Sequence, residues 1–259
     1  MVQQERVETL RLSNSITITV LYEDRYLLAV DKPAGLLVAP AHWEQTSRNL
    51  MLMLREGVER GVPWARRRNL RFIANVHRLD ADTSGVLLLA KNRPALIQMT
   101  RRFEQRRVEK SYLALVTGVP ASEQFNIAEP IGMHATIKGL MVIDGKQGRE
   151  SLTECRVLER LGAYTLIEAK PVTGRTHQIR VHLAWAGLPV VADPLYGKQS
   201  NLSAQAALSE PMARLALHAQ ALSFKHPLLQ TEVHIEAPLT KDFYQALANL
   251  RKTRKICEN

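Results

Sequence analysis

Two cysteines in 259 residues, Cys155 and Cys257, are too few for a disulfide framework or a cysteine-based zinc site. No apolar run approaches the ~20 residues that cross a bilayer as a helix. The opening stretch MVQQERVETL has no apolar core of the kind a secretory signal needs. There is no internal repeat and no low-complexity linker. Together these absences argue against a disulfide-stapled secreted domain, a helical membrane protein and a repeat array. They lead us to expect a cytoplasmic protein.

What is present is an ordinary globular composition, 46% hydrophobic and 23% charged, on a chain long enough for one large domain or two small ones. The charge is less ordinary: 35 Lys and Arg against 25 Asp and Glu give a formal +10. Such an excess favours a polyanionic partner. It is concentrated at Arg66-Arg67-Arg68 with Arg71, at Arg101-Arg102 with Arg106-Arg107, and at Arg251-Lys252 with Arg254-Lys255. The last group reads as a helix C-terminus; for the other two, phosphate contact is the favoured reading.

Hydrophobic spacing gives a coarse order of elements. Residues 1–14 read as a polar, flexible lead-in. Ile16, Ile18 and Val20 alternate as a strand, and a second strand covers Tyr26–Val30. A helix with Leu50, Leu54 and Val58 on one face starts from a cap at Thr46 or Ser47 and ends at Gly61 and Pro63. Leu70–Val76 and Val86–Ala90 read as strands around a polar loop. A helix begins near Pro94, with Leu96, Met99 and Phe103 as its apolar stripe and Arg101, Arg102 and Arg106 mostly off it. Ser111–Thr117 alternates as a strand, 119–150 is an irregular or hairpin excursion, and Ser151–Lys170 is a hairpin turning at Leu161-Gly162. Thr173-Gly174-Arg175 opens a helix that Gly187 closes. Leu215–Phe224 and Thr231–Glu236 form a strand pair, and a helix from Thr240 ends the chain. Hairpins mixed with helices predict an α+β fold with a mixed, largely antiparallel central sheet and flanking helices, in a single domain over 15–259.

The polar loop is His77-Arg78-Leu79-Asp80-Ala81-Asp82-Thr83-Ser84-Gly85. Loops pinned between apolar strands are where chemistry tends to sit. Turn chemistry accounts for Asp82, Thr83, Ser84 and Gly85, but not for Asp80 or the His-Arg pair.

HRLDADTSG with the VLLLAK that follows resembles the signature of the RluA-type pseudouridine synthase family. Three more stretches match it in order, DKPAG (31–35), EKSYLA (109–114) and TGRTHQIRVHL (173–183), and two weaker matches follow, DPLYG (193–197) and LHA (217–219). The matches run from about residue 20 to about residue 237. The resemblance implies a mixed sheet with an active-site cleft dividing two halves. It implies an enzyme that isomerises uridine in structured RNA, ribosomal or transfer, without cofactor or metal. It assigns Asp80 as the catalytic carboxylate, Tyr112 as the active-site tyrosine and Arg180 as the arginine that keeps Asp80 charged, with Arg175 as the rival for that task. Leu217 matches a position that packs against uracil. Lys32, Arg78 and Thr83 are expected to contact phosphate or brace loops, and Arg101, Arg102 and Arg106 to track the RNA backbone.

His177 and His182, five apart, sit off a common helix face and make poor co-ligands for a metal. Longer family members carry a small RNA-binding domain ahead of the catalytic one, whereas about 20 residues precede the first match here. Selection of the RNA then falls to the catalytic domain, with residues 41–70 and 119–150 as candidates. The expected protein is a monomer with no obligate protein partner and no membrane. Two other readings compete: a non-catalytic RNA-binding assembly factor on this fold, and a carboxylate-based nucleoside hydrolase. The hydrolase would call for a second catalytic carboxylate at a set separation.

Overall fold

The computed structural model describes residues 8–39, 49–197 and 211–257. The chain divides into two compact units, residues 1–108 with 221–237 and residues 109–220 with 238–259.

In the first unit, β1 (Thr9–Arg11), β2 (Thr17–Glu23), β3 (Leu27–Lys32) and β5 (Ser84–Ala90) pair antiparallel in that order. The short β4 (Ala74–Asn75) pairs with β5. Every residue of β5 is buried, as its unbroken apolar run suggested. Two features differ from the sequence reading. The expected lead-in contains β1, because Leu10 is wholly buried and pulls its neighbours into register with β2. The expected strand Leu70–Val76 shrinks to two residues, the rest spending its apolar side chains on packing outside a ladder.

Helix α1 (Leu50–Glu59) is capped by Asn49, whose side chain accepts from the Leu52 N–H. The caps read at Thr46 and Ser47 lie outside the described residues. A short helix, α2 (Pro63–Arg67), follows, and Arg68 after it is no free cation: it pairs with Glu8 and with Glu23. Helix α3 (Arg93–Glu104) begins at Asn92, which caps the Ala95 N–H at 2.9 Å. Its buried Ala95 and Met99 face a core that includes Leu27, Val86 and Leu88. Arg101, Arg106 and Arg107 are exposed and Arg102 is half-buried.

The second unit is built on β6 (Glu109–Thr117), β11 (Tyr164–Pro171), β10 (Thr153–Leu161) and β7 (Gln124–Ile127), antiparallel in that spatial order. The turn at Gly162 has φ +69°, which glycine adopts without strain. The excursion at 119–150 resolves into β7 and a hairpin of β8 (Ile131–Met133) with β9 (Met141–Ile143). Helix α4 (Gln178–Trp185) is buried along nearly its whole length. The last strand pair is β12 (Leu217–Lys225) with β13 (Glu232–Glu236), paired through Ala221–Lys225 in the first unit. Helix α5 (Lys241–Cys257) sets Phe243 and Leu247 in the second unit's core, with Leu250 packed against it. Arg251 on it grips Glu159 with two nitrogens, so part of the terminal basic cluster is structural. Among the described residues no helix is long and apolar enough to cross a membrane. The strand pairings described above are all antiparallel, in line with the largely antiparallel α+β expectation.

Candidate active site

The Asp80 loop belongs to the first unit and is tied down at several points. Lys32 closes β3 with its side chain fully buried, and its Nζ donates to three carbonyls: Pro33 at 2.7 Å, Leu36 at 2.8 Å and Ala81 at 2.8 Å. The last joins the Lys32-Pro33 turn to the residue after Asp80. Of the two roles read for Lys32, this geometry serves loop bracing and leaves no exposed ammonium for phosphate. The Thr83 N–H closes a turn onto the Asp80 carbonyl at 3.2 Å. Thr83 is itself buried, with a hydroxyl that has no partner, so it too belongs to the loop's interior.

Gly85, directly opposite Lys32 in the β3–β5 register, has φ +109°, a conformation closed to ordinary side chains. It lets the chain turn from the loop straight into a fully buried strand. On the entry side, His77 accepts the Leu88 N–H at Nε2 (3.0 Å) and stacks on Phe103 of α3 with centroids 4.9 Å apart. Arg78 between them is exposed and Asp80 half-buried. The polar head of the motif therefore stands on a rigid base, as an enzyme loop must.

Next to Lys32, Asp31 has its carboxyl pushed up to about 6 by burial, which the neighbouring ammonium only partly offsets. Its Oδ1 is buried without a partner.

In the second unit, Tyr112 lies half-buried on β6, opposite Ala169 of β11 and packed against the core. Two residues earlier on the same strand, Lys110 donates to the Thr173 carbonyl at 2.8 Å. That carbonyl opens the TGRTHQIR stretch. Here the structure corrects the sequence reading: the helix begins at Gln178, not at Thr173. The Gln178 Oε1 accepts from the Thr173 hydroxyl (2.6 Å) and the Arg175 N–H (3.0 Å), holding 173–177 as a loop. His177 then enters the helix at φ +55°.

Gln178 also donates to the Leu152 carbonyl and the Thr153 hydroxyl. His182 lies between that hydroxyl (2.9 Å) and the Glu129 carbonyl (2.9 Å). Facing a carbonyl, Nε2 carries a proton; burial pushes the ring's pKa down, which favours the neutral form with Nδ1 accepting from the Thr153 hydroxyl. His177 meets the Tyr196 hydroxyl at 2.9 Å. Both histidines are thus engaged in ordinary hydrogen bonds, and no group of three metal-ligating side chains occurs among the described residues.

Arg180 and Arg175 are now distinct. Arg175 is partly exposed and reaches the Glu150 carbonyl. Arg180, which on spacing alone would be a helix-surface residue, is buried and makes a two-pronged pair with buried Asp193, both contacts at 2.8 Å. Sequence reasoning recognised DPLYG but gave Asp193 no role; a buried Arg needs a partner, and that requirement was the available signal. Leu217 is packed in the second unit's core with Ala114 and Ile167.

A family model described as RNA pseudouridylate synthase matches residues 26–185. The chain is 37% identical over 252 residues to the ribosomal large subunit pseudouridine synthase D of Pseudomonas aeruginosa, covering 94% of this chain and 75% of that one. It is also 37% identical over 236 residues to the ribosomal large subunit pseudouridine synthase C of Escherichia coli, covering 91% and 70%. Among solved structures, Human RNA Pseudouridylate Synthase Domain Containing 4 is similar with a TM-score of 0.72 at 26% identity, over 90% of this chain and 92% of that one. The chain belongs to the RNA pseudouridylate synthase family, of the RluA type. It is an isomerase that converts uridine in RNA to pseudouridine.

Proposed function

We propose that this enzyme modifies large-subunit ribosomal RNA, with Asp80 as its catalytic carboxylate. The reaction breaks the N1–C1′ bond of a uridine, turns the base, and joins C5 to C1′. The proton leaves C5 and one is taken up at N1, so atoms and electrons balance without an external oxidant or reductant. A single ionised carboxylate suffices to start it, as nucleophile or as base toward the sugar. The base must first leave its stack. Asp80 fits the first role, Tyr112 is suited to stacking on the base and moving a proton at C5, and Arg180 to keeping Asp80 charged.

The observation that carries this reading is the bracing of the Asp80 loop. A loop fixed by Lys32, the Thr83 turn and His77 serves reaction geometry, where a loop kept only for phosphate binding would not need such definition. The exposed arginines at the end of α3 and just beyond it are placed by this reading on the RNA backbone, with Arg78 beside the target nucleotide. Ribosomal RNA is preferred over transfer RNA because both bacterial relatives above are named for the large ribosomal subunit. The enzyme acts in the cytoplasm as a monomer in this proposal.

The test is single-turnover release of tritium from C5-labelled uridine in ribosomal and transfer RNA transcripts. Wild-type enzyme should release tritium from large-subunit RNA. Asp80→Asn should bind within about threefold of wild type, since affinity depends on phosphates and stacking, yet release none. A protein that binds tightly and modifies no transcript would instead be an assembly factor on this fold. Release from transfer RNA alone would move the substrate assignment.

A further inference from the structure

The Arg180 guanidinium is held on an edge and on a face. Its Nε and Nη2 meet Asp193 Oδ2 and Oδ1, each at 2.8 Å. The Asp193 carboxylate is itself aimed, because Oδ1 accepts the N–H groups of Leu195 (2.9 Å) and Tyr196 (3.1 Å). Just before it, Ala192 turns the chain at φ +53°, a conformation alanine enters only at a cost. On the face, the Tyr196 ring lies with its centroid 5.1 Å from Arg180 Cζ. The Tyr196 hydroxyl is anchored in turn by the Met141 N–H (3.0 Å) and by His177 Nδ1 (2.9 Å). A planar cation clamped in this way has its direction decided before any substrate arrives.

We propose that Asp193 and Tyr196 are positioning residues for pseudouridylation, acting through Arg180 and not on the RNA. The proposal rests on the reading of Arg180 as the cation that serves Asp80. A buried ion pair adds little to stability that well-packed apolar residues would not. Orientation is what the two-pronged geometry supplies, and misplacing a group near the reacting atoms is costly in rate.

The experiment measures single-turnover pseudouridine formation at saturating enzyme, RNA affinity and thermal melting for Asp193→Asn, Tyr196→Leu, Arg180→Met and the double variant Asp193→Asn with Arg180→Met. Asparagine keeps an oxygen for the Leu195 and Tyr196 N–H groups but turns an amide N–H toward the guanidinium. Its rate should fall on the order of thirtyfold at unchanged RNA affinity, and Tyr196→Leu should cost about fivefold. Arg180→Met should cost about a hundredfold or more.

The double variant decides the route. If Asp193 works through Arg180, adding Asp193→Asn to Arg180→Met leaves the rate where Arg180→Met put it. Melting should then rise above that of Arg180→Met alone, because the orphaned buried carboxylate is gone. Equal fold-losses from Asp193→Asn in both backgrounds would overturn the proposal. If Arg180→Met alone keeps its turnover, the reading of Arg180 fails, and the positioning role with it. If Arg180→Met is crippled while Asp193→Asn and Tyr196→Leu run at wild-type rate, only the positioning role fails. Should Asp193→Asn not fold, a wild-type rate for Tyr196→Leu overturns the proposal by itself.

Discussion

Lys32 in the first unit and Arg180 in the second are both buried cations, yet they are held in different ways. The Lys32 ammonium donates to three main-chain carbonyls, two in the turn that follows it and one in the Asp80 loop. Arg180 is held by a carboxylate and a ring. Main-chain acceptors fix where the chain goes, so Lys32 defines the path of the Asp80 loop. A carboxylate and a ring fix how a planar group points, so Asp193 and Tyr196 define the aim of Arg180. The neighbouring acids differ in the same sense. Asp193 has both oxygens bonded, whereas Asp31 keeps one buried oxygen without a partner. Two motifs of one family, each built on a buried charge, are thus doing separate work: one shapes a loop and the other orients a side chain.

The comparison breaks first at Lys32. Lys32→Met should remove a donor from the Pro33, Leu36 and Ala81 carbonyls at once, costing about 3 kcal/mol of stability, read from the urea midpoint. RNA affinity measured under folded conditions should stay near wild type. A stable variant with weakened binding would instead make Lys32 a phosphate ligand.

A smaller effect is expected at the end of α3 and in the turn after it, where exposed Arg101 and Arg106 contrast with both buried cations. Neutralising Arg101 and Arg106 together should flatten the log–log salt dependence of RNA binding by about 1.4, at ~0.7 per phosphate lost on single-stranded RNA. The turnover of bound RNA should be unaffected. An unchanged slope would put the RNA elsewhere.

The smallest effect sharpens the contrast between the two acids. The folded carboxyl of Asp31 titrates at about 6 against an ordinary 3.8, so within that window the native state binds the extra proton. Stability contributed by this group therefore falls as pH rises through the window, and the loss is complete above it. Asp31→Asn should be the more stable protein by about 1 kcal/mol near neutrality, after allowing for the part exposure of the group. That advantage should vanish below about pH 4, where both side chains are neutral. Denaturant melts across pH check this, and an advantage independent of pH would mean that the charge of Asp31 is not what costs stability.

Much of this molecule is legible in its sequence because the signals are local. Alternation marked β2 and β6, an apolar run marked β3, Gly162 marked the β10–β11 turn, and the apolar stripe with Pro94 at its head marked α3. The start of α4 was misread because Gln178, five residues on from Thr173, captures the loop's own donors. β1 went unnoticed because a three-residue edge strand needs only one buried Leu. The sequence alone determined the family, the order of the elements and the identity of the residues able to carry the chemistry, since these follow from spacing and side-chain type. Only the tertiary structure decided that Lys32 braces a loop, that Arg180 is buried and that Asp193 is its partner. Those outcomes depend on which buried donors find which acceptors. A partner 13 residues away for Arg180 and a carbonyl 49 residues away for Lys32 are brought within bonding distance by the fold and by no local rule.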